Sequence, residues 1–239
     1  MILKGHQALV TGGTRGIGKA IAIELKKAGA EVTITGTGVK KEVEIPEAYH
    51  YKAVDFLNEE NSKLFFEEIK KMDFTILINN AGINKISPFS EISLRDYENI
   101  QRVNMKIPLV LSQTVLPAMR KKNWGRIINI ASVFGVVSRE FRASYSVSKF
   151  GLDGMTAALA AEVACEGILV NTVSPGFIDT ELTRSVLGEE GMREIATRIP
   201  MRRLGKPEEI AKLVCWLASS ENTYISGQNI IIDGGFTRV

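Results

Sequence analysis

Short apolar runs recur along the chain, separated by longer stretches in which apolar residues return every three or four positions. The runs predict seven strands, at Gln7 to Thr11, Glu31 to Thr35, His50 to Ala53, Phe74 to Asn79, Gly125 to Ala131, Leu169 to Val173 and Asn229 to Ile232. Several are continuously apolar, as a strand is when both of its faces are covered. Between them, Ile17, Ile21 and Leu25 mark one side of a helix ending before Gly29, and Ala143 to Glu166 reads as a long helix closed by Gly167. Its interior glycines, Gly151 and Gly154, cost helix stability and leave room for a close neighbour. Strand–helix alternation of this kind predicts an α/β fold: a doubly wound, seven-stranded parallel sheet flanked by helices.

Two segments depart from the alternation. Gly36 to Tyr49 contains Gly38 and Pro46 and little apolar period, so a helix between the second and third strands is expected to be short or absent. Glu181 to Arg203 is polar and is expected to break into short pieces at Gly188, Gly191 and Pro200, as a mobile lid or as an ordinary surface excursion. Neither a Pro/Ser linker nor a repeat divides the chain, which predicts one domain over residues 1–239.

Of the 239 residues 45% are hydrophobic and 24% charged, which excludes a disordered chain and a polytopic membrane protein. The net charge is +3 and the nearest basic run is Arg120-Lys121-Lys122, too little for a nucleic-acid surface. Met1 leads almost directly into the strand-like Gln7-Ala8-Leu9-Val10 without an apolar leader, and no apolar run has the roughly 18 residues of a membrane span. The two cysteines, Cys165 and Cys215, lie in apolar helix-like stretches, which fits a reducing compartment. The expected location is the cytoplasm.

Candidate chemistry begins where the first strand ends. Thr11-Gly12-Gly13-Thr14-Arg15-Gly16-Ile17-Gly18 follows that strand and opens the first helix, the place where a doubly wound sheet receives a dinucleotide pyrophosphate on helix amides. At the end of the second strand a carboxylate would accept the ribose hydroxyls and repel a 2′-phosphate. Here the run is Thr35-Gly36-Thr37-Gly38 without an acid, with Arg15 in the loop and Lys40 and Lys41 beyond, a setting that suits NADP better than NAD. The bland alternative is that these cations are solvated.

Ser132 ends the fifth strand at the sheet edge where ligands collect. Thirteen residues later comes Tyr145, with Lys149 as its i+4 neighbour on the same helix side. A phenol is a poor base at neutral pH, and a nearby cation is expected to lower its pKa into a working range.

With these residues on one chain, the sequence resembles the short-chain dehydrogenase/reductase family over nearly its whole length, closest to its 3-oxoacyl reductase-like members. Asn79-Asn80-Ala81-Gly82, Asn104, Ser132, Tyr145, Lys149, Pro175-Gly176 and Asp233-Gly234-Gly235 fall in family order. The resemblance implies a single Rossmann domain and hydride transfer between NADP and a small carbonyl or secondary alcohol. It implies that Ser132 orients the substrate oxygen, Tyr145 exchanges its proton, Lys149 lowers the phenol pKa and grips the nicotinamide ribose, and Asn104 holds a relay water. Gly12, Thr14, Arg15, Gly16, Ile17, Gly18, Thr37, Asn80, Ala81, Gly82, Pro175 and Gly176 would surround the cofactor. Asp55 would meet its adenine, and Ile178 with Thr180 its carboxamide end.

The segments 83–93, 133–142 and 181–203 should line the reacting carbon, with Val133, Phe134, Val136, Val137 and Phe141 as an apolar wall. Lys85, Arg139 and Arg142 meet a substrate anion or, on the favoured reading, Arg139, Glu140 and Arg142 form a solvated charge cluster. His6 and His50 are expected to be structural. Rival readings are a non-catalytic dinucleotide-binding regulator or scaffold, and an NAD-dependent dehydrogenase of a sugar or hydroxy acid.

By the same resemblance a homotetramer is expected, with Ala157, Ala158, Ala160 and Ala161 small enough for close helix contact between copies or onto the chain's own sheet. Docking of an acyl carrier protein is doubtful, because the basic positions expected beside the site's opening carry Asn123 and Glu166 here, with Lys121 and Lys122 offsetting them only in part.

Overall fold

Side chains that alternate along a strand point to opposite faces of the sheet, and this chain sorts its apolar residues accordingly. The computed structural model describes residues 1–38 and 49–239. Its elements are β1 (Gln7–Val10), α1 (Gly16–Lys27), β2 (Glu31–Gly36), β3 (His50–Ala53), α2 (Glu59–Ile69), β4 (Ile76–Asn79), α3 (Leu94–Gln101), α4 (Ile107–Lys122), β5 (Gly125–Ile130), α5 (Ala143–Val163), β6 (Ile168–Pro175), α6 (Glu181–Arg198), α7 (Pro207–Leu217) and β7 (Asn229–Ile232). All seven strands pair in parallel in the order β3-β2-β1-β4-β5-β6-β7. Ala8, Val10, Ile76, Ile78, Ile128 and Ile130 pack under α1 and α7, whereas Leu9, Leu77 and Ile127 pack under α2, α4 and α5. The strand order reverses between β1 and β4, so the segments that follow them part toward opposite faces and leave a crevice at the C-terminal strand edge.

Strand ends shift only where neighbours decide them. β6 extends through Ser174 and Pro175 because these residues still face Ile231 and Ile232 of β7. The predicted long helix is observed as α5 followed by a tighter turn, Ala164–Glu166, and Gly167 ends it with φ 74°. Gly151 accommodates the Met105 side chain, since a Cβ there would come within 2.5 Å of the methionine methyl, whereas Gly154 faces open space. The expectation of short pieces in 181–203 holds in part: α6 consists of two short helices that meet at a kink at Gly188, which takes φ 64°, and the second ends at Arg198, before Pro200, whereas Gly191 lies within it without a break. Exposed i,i+4 pairs, Glu189 with Arg193 and Glu194 with Arg198, support its second half. The expected short or absent helix between β2 and β3 falls largely on residues 39–48, which lie outside the described residues, as do Lys40 and Lys41.

At the opposite, N-terminal strand edge, β5 carries a buried cation. The Arg126 guanidinium donates to the carbonyls of Gly125 (2.8 Å), Asn222 (3.0 Å), Ser219 (3.2 Å) and Gly167 (3.3 Å) and lies 4.4 Å from the Trp124 ring centroid. His6 stacks on Trp124 at 3.9 Å and bonds Thr75, a structural role as expected, and His50 is exposed at the start of β3. Burial lowers the Arg126 pKa to about 10, which leaves it charged at neutral pH. Replacing Arg126 by Met strips a donor from four carbonyls at once, so we expect about 2–4 kcal/mol of destabilisation, read from urea unfolding. A loss below about 0.5 kcal/mol would contradict this account.

Candidate active site

The crevice is closed at its base by side chains that bond backbone. The Thr11 hydroxyl, just past β1, accepts from the Asn80 and Ala81 amides, both at 3.0 Å. In return the Asn80 side chain donates to the carbonyls of Thr11 (2.9 Å) and Gly12 (3.1 Å). Thr35 at the end of β2 receives the Gly12 amide on its hydroxyl and the Gly13 amide on its carbonyl. Gly18 must be glycine, because a Cβ would sit 2.3 Å from the Gly12 carbonyl oxygen and 2.4 Å from the Asn80 amide nitrogen.

α1 therefore starts tight against the loop. Arg15 precedes it without capping it, its first turn holds no acid, and the amides of Gly16, Ile17 and Gly18 make no hydrogen bond among the described residues. Free amides at the positive end of a helix suit an anion. Across the crevice Pro175 ends β6, and the Gly176 amide bonds Ile232 O at 2.9 Å. Ile178 is buried and bridges to Gly205, and Thr180 caps α6 with its methyl 3.5 Å from where a Gly16 Cβ would stand. The glycine loop and the Ile178–Thr180 segment thus face each other. Asp55 is exposed, its carboxylate accepting from the Leu57 amide at 2.9 Å. Thr14 packs beside Gly36, Thr37 is exposed, and exposed Arg15 has no ion-pair partner among the described residues.

Ser132, Tyr145 and Lys149 meet beyond β5. Ser132 caps the short turn Val133–Gly135, its oxygen accepting from the Phe134 amide at 3.2 Å, and its hydroxyl bonds the Tyr145 phenol. α5 starts at Ala143, which puts Tyr145 in its first turn and buried Lys149 one turn on, with Nζ 5.5 Å from the phenol ring centroid. Nζ donates to Ile130 O at 2.8 Å. Asn104 lies in a π turn, Arg102–Lys106, between α3 and α4, the kind of insertion that turns a side chain inward. Its amide donates to Ile83 O and Ser148 Oγ, both at 3.0 Å, and its oxygen accepts from the Ile83 amide at 2.9 Å. A Cβ on Gly82 would stand 3.4 Å from Asn104 Oδ1 and 3.7 Å from Lys149 Nζ, so the three residues converge on one small space.

Electrostatics corrects one expectation. Burial holds the Tyr145 phenol above its ordinary pKa; the Ser132 hydroxyl and the Arg142 charge pull it the other way without prevailing. Lys149 is itself pushed down to about 8 by burial, and its ammonium is engaged with a carbonyl. Taking phenolate out of water costs more than the nearby cations return. Tyr145 consequently stays protonated at neutral pH and is set up to give a proton. Asn104 uses its side chain on Ile83 and Ser148, with one lone pair of its amide oxygen left for a further donor.

Around the opening, Lys85 pairs with Asp96 at 2.6 Å, whereas Arg142 lies over the Phe134 ring, its guanidinium carbon 5.5 Å from the centroid. Sequence reasoning undervalued Arg142; its position three residues before Tyr145, one helical turn away, was the available signal. The positions expected to bear on carrier docking lie elsewhere. Residues 121–124 and Glu166 precede β5 and β6, on the edge of the sheet away from Ser132, about 20 Å off for a six-residue parallel strand.

Comparison with known proteins gives a consistent set. A family model described as Enoyl-(Acyl carrier protein) reductase matches residues 12–237. The chain is 42% identical over 243 residues to the 3-oxoacyl-acyl-carrier-protein reductase of Aquifex aeolicus, covering 98% of both chains. It is 39% identical over 245 residues to the enzyme of that name from Pseudomonas aeruginosa, again over 98% of each. Among solved structures it resembles a putative NAD(P)-dependent gluconate 5-dehydrogenase from Beutenbergia cavernae with bound NADP, at 33% identity and TM-score 0.91, over 99% of this chain and 98% of that one. A gluconate 5-dehydrogenase from Burkholderia cenocepacia, in complex with NADP and tartrate, gives 29% and 0.89 over 99% and 97%.

Proposed function

Because the chain belongs to the short-chain dehydrogenase/reductase family, we propose that Ser132, Tyr145 and Lys149 reduce a carbonyl group at the C-terminal edge of the sheet. The protein is an NADP-dependent oxidoreductase acting between a carbonyl and a secondary alcohol, 3-oxoacyl reductase-like in sequence. The observation that carries the catalytic reading is the meeting of a serine hydroxyl bonded to a protonated phenol and a buried ammonium beside an anion-ready helix terminus. We read residues 1–239 as one domain, since a single sheet takes strands from both ends of the chain.

The residues present fit the cofactor. The open amides of α1 suit its diphosphate, Gly18 keeps the loop close to the helix, and the lack of an acid from Thr35 to Thr37 with exposed Arg15 suits a 2′-phosphate. When bound, NADPH supplies the hydride. Ser132 turns its hydroxyl hydrogen from the phenol to the substrate oxygen, and Tyr145 passes its phenol proton to the same oxygen, so the carbonyl gains one hydride and one proton and becomes an alcohol. Lys149 keeps two ammonium protons beyond the one on Ile130 O, which suits the ribose hydroxyls and return of a proton to Tyr145. Asn104 positions the Gly82–Ile83 backbone against this group. Gly12, Thr14, Gly16, Ile17, Asn80, Ala81, Gly82, Pro175, Gly176, Ile178 and Thr180 form the cofactor wall on this reading, and Thr37 and Asp55 flank the adenosine end.

The finer partners are part of the same proposal. Leu109, Val147 and Phe150 are 43%, 48% and 47% exposed on α4 and α5, and Ala157, Ala158 and Ala161 share the exposed side of α5, while Ala160 is buried in the chain's own core. An apolar face of that composition supports assembly into a homotetramer. Carrier-protein docking gains little support, because Glu166 is paired with Arg120, through Oε1 to Nη2 at 3.1 Å and Oε2 to Nε at 2.5 Å, and Arg193 with Glu189.

A panel of carbonyl compounds followed by NADPH oxidation tests the activity, with one 3-oxoacyl chain offered both on carrier protein and on a small thioester. On the best substrate, Tyr145→Phe should lower kcat by about 10²–10⁴-fold and leave NADPH affinity within about twofold. Retention of most of kcat would remove Tyr145 as proton donor. In the wild type, kcat/KM for reduction should decline as pH rises through about 8, where Lys149 loses its proton. A profile flat to roughly pH 10 would oppose that role.

An acid at Gly36 is unsuited to testing the cofactor, because a Cβ there meets the Thr14 methyl at 2.7 Å and the Tyr51 hydroxyl at 2.9 Å. Thr37→Asp avoids the clash and should shift the kcat/KM ratio at least about tenfold from NADPH toward NADH. No shift would argue against a 2′-phosphate at that position. Sedimentation equilibrium should find a tetramer at micromolar concentration, and a stable monomer would refute the assembly.

A further inference from the structure

Arg142 differs from the other cations near the site. Lys85 is paired with Asp96 and Arg184 with Asp179, but Arg142 has neither a carboxylate nor any hydrogen-bond acceptor for its side chain among the described residues. It is partly buried, lies over the Phe134 ring that borders Ser132, and occupies the cap position of α5 three residues before Tyr145. Arg139 is exposed nearby, and its charge together with burial pushes the Arg142 pKa down. Glu140 stands between the two in sequence and forms no ion pair among the described residues, so the solvated charge cluster expected from the sequence describes exposed Arg139 and Glu140, whereas Arg142 is partly buried. Two like charges on one side of the opening, one of them partly out of water and unneutralised, are costly unless something anionic joins them.

We infer that Arg142 is a specificity-determining residue that binds an anionic group of the substrate, so that the enzyme acts on oxo acids carrying a carboxylate near the reacting carbonyl. The inference rests on the carbonyl-reductase reading, and it narrows it. A guanidinium beside the reactive phenol has a planar pair of donors for a carboxylate and is unable to lose its charge at neutral pH. Neutral 3-oxoacyl thioesters offer no anion at that point. The Phe134 ring, with Phe177 edge-on at 6.0 Å, lies against one side of the guanidinium and holds it in place for such a group.

The test compares 2-, 3- and 5-oxo acids, each beside its methyl ester, in the NADPH assay. Wild type should favour at least one acid over its ester by about tenfold or more in kcat/KM. Arg142→Met should remove that preference through KM on the acid while the ester stays within about twofold, and Arg142→Lys should restore part of it. Equal or better use of every ester by the wild type would overturn the inference. So would an equal loss on acid and ester in Arg142→Met, because that pattern belongs to a residue acting only through the Tyr145 phenol. A second readout is independent of turnover: calorimetric titration of the full-length protein with malonate should show binding that Arg142→Met weakens at least about fivefold. Unchanged or absent malonate binding would overturn the inference. If no carbonyl is reduced while malonate binds through Arg142, the reductase reading fails and the anion site stands.

Discussion

Where β1 and β4 end, the chain leaves toward opposite faces of the sheet, and the crevice so formed would gape without the Asn80 side chain and the Thr11 hydroxyl tying its walls together. Those bonds fix the glycine loop against β4, and the loop in turn sets where α1 begins and where its free amides point. Gly18 is the steric partner of the same constraint, since any side chain there would strike the carbonyl and amide that make the tie. The cofactor wall is thus one hydrogen-bonded unit, and the segment from Asn80 to Ile83 extends it to Asn104, to Gly82 and so to the space beside Lys149.

The chemical half of the site is governed by desolvation. Lys149 is buried against a backbone carbonyl and Tyr145 is held protonated, so the pair is arranged for giving a proton, with the ammonium poised to return it. Ser132, whose oxygen accepts from the Phe134 amide, adds its hydroxyl beside the same phenol, a cluster of donors of the kind that suits a negatively charged oxygen. Arg142 adds a partly buried charge over the Phe134 ring without a carboxylate partner among the described residues, and it acts on the Tyr145 phenol through its field.

Much of this was legible in the residues alone. Continuous apolar runs separated by helical periods are enough for a parallel sheet covered on both faces, and all seven strands stand where the runs predicted, with ends moved by a residue or two. The glycine spacing after β1 and the i+4 step from Tyr145 to Lys149 are local geometry, which sequence order dictates directly. Along α6 the expected breaks at Gly188 and before Pro200 stand, and only the one at Gly191 does not. Gly191 is carried within the helix, beside the i,i+4 ion pairs, and Gly188 alone takes a left-handed conformation.

Sequence by itself determined the fold and put the glycine loop, Ser132, Tyr145 and Lys149 at the strand ends and helix turn where the structure has them, because each is written in spacing along a single element or across one strand–helix junction. Tertiary structure decided the protonation of Tyr145, the lowered pKa of Lys149, the engagement of Asn104 with Ile83 and Ser148, and the isolation of Arg142. It also set Glu166 and the neighbouring lysines on the far edge of the sheet from Ser132. These properties depend on how much water each group loses and which distant residues replace it, and both are set by packing between elements far apart in the chain.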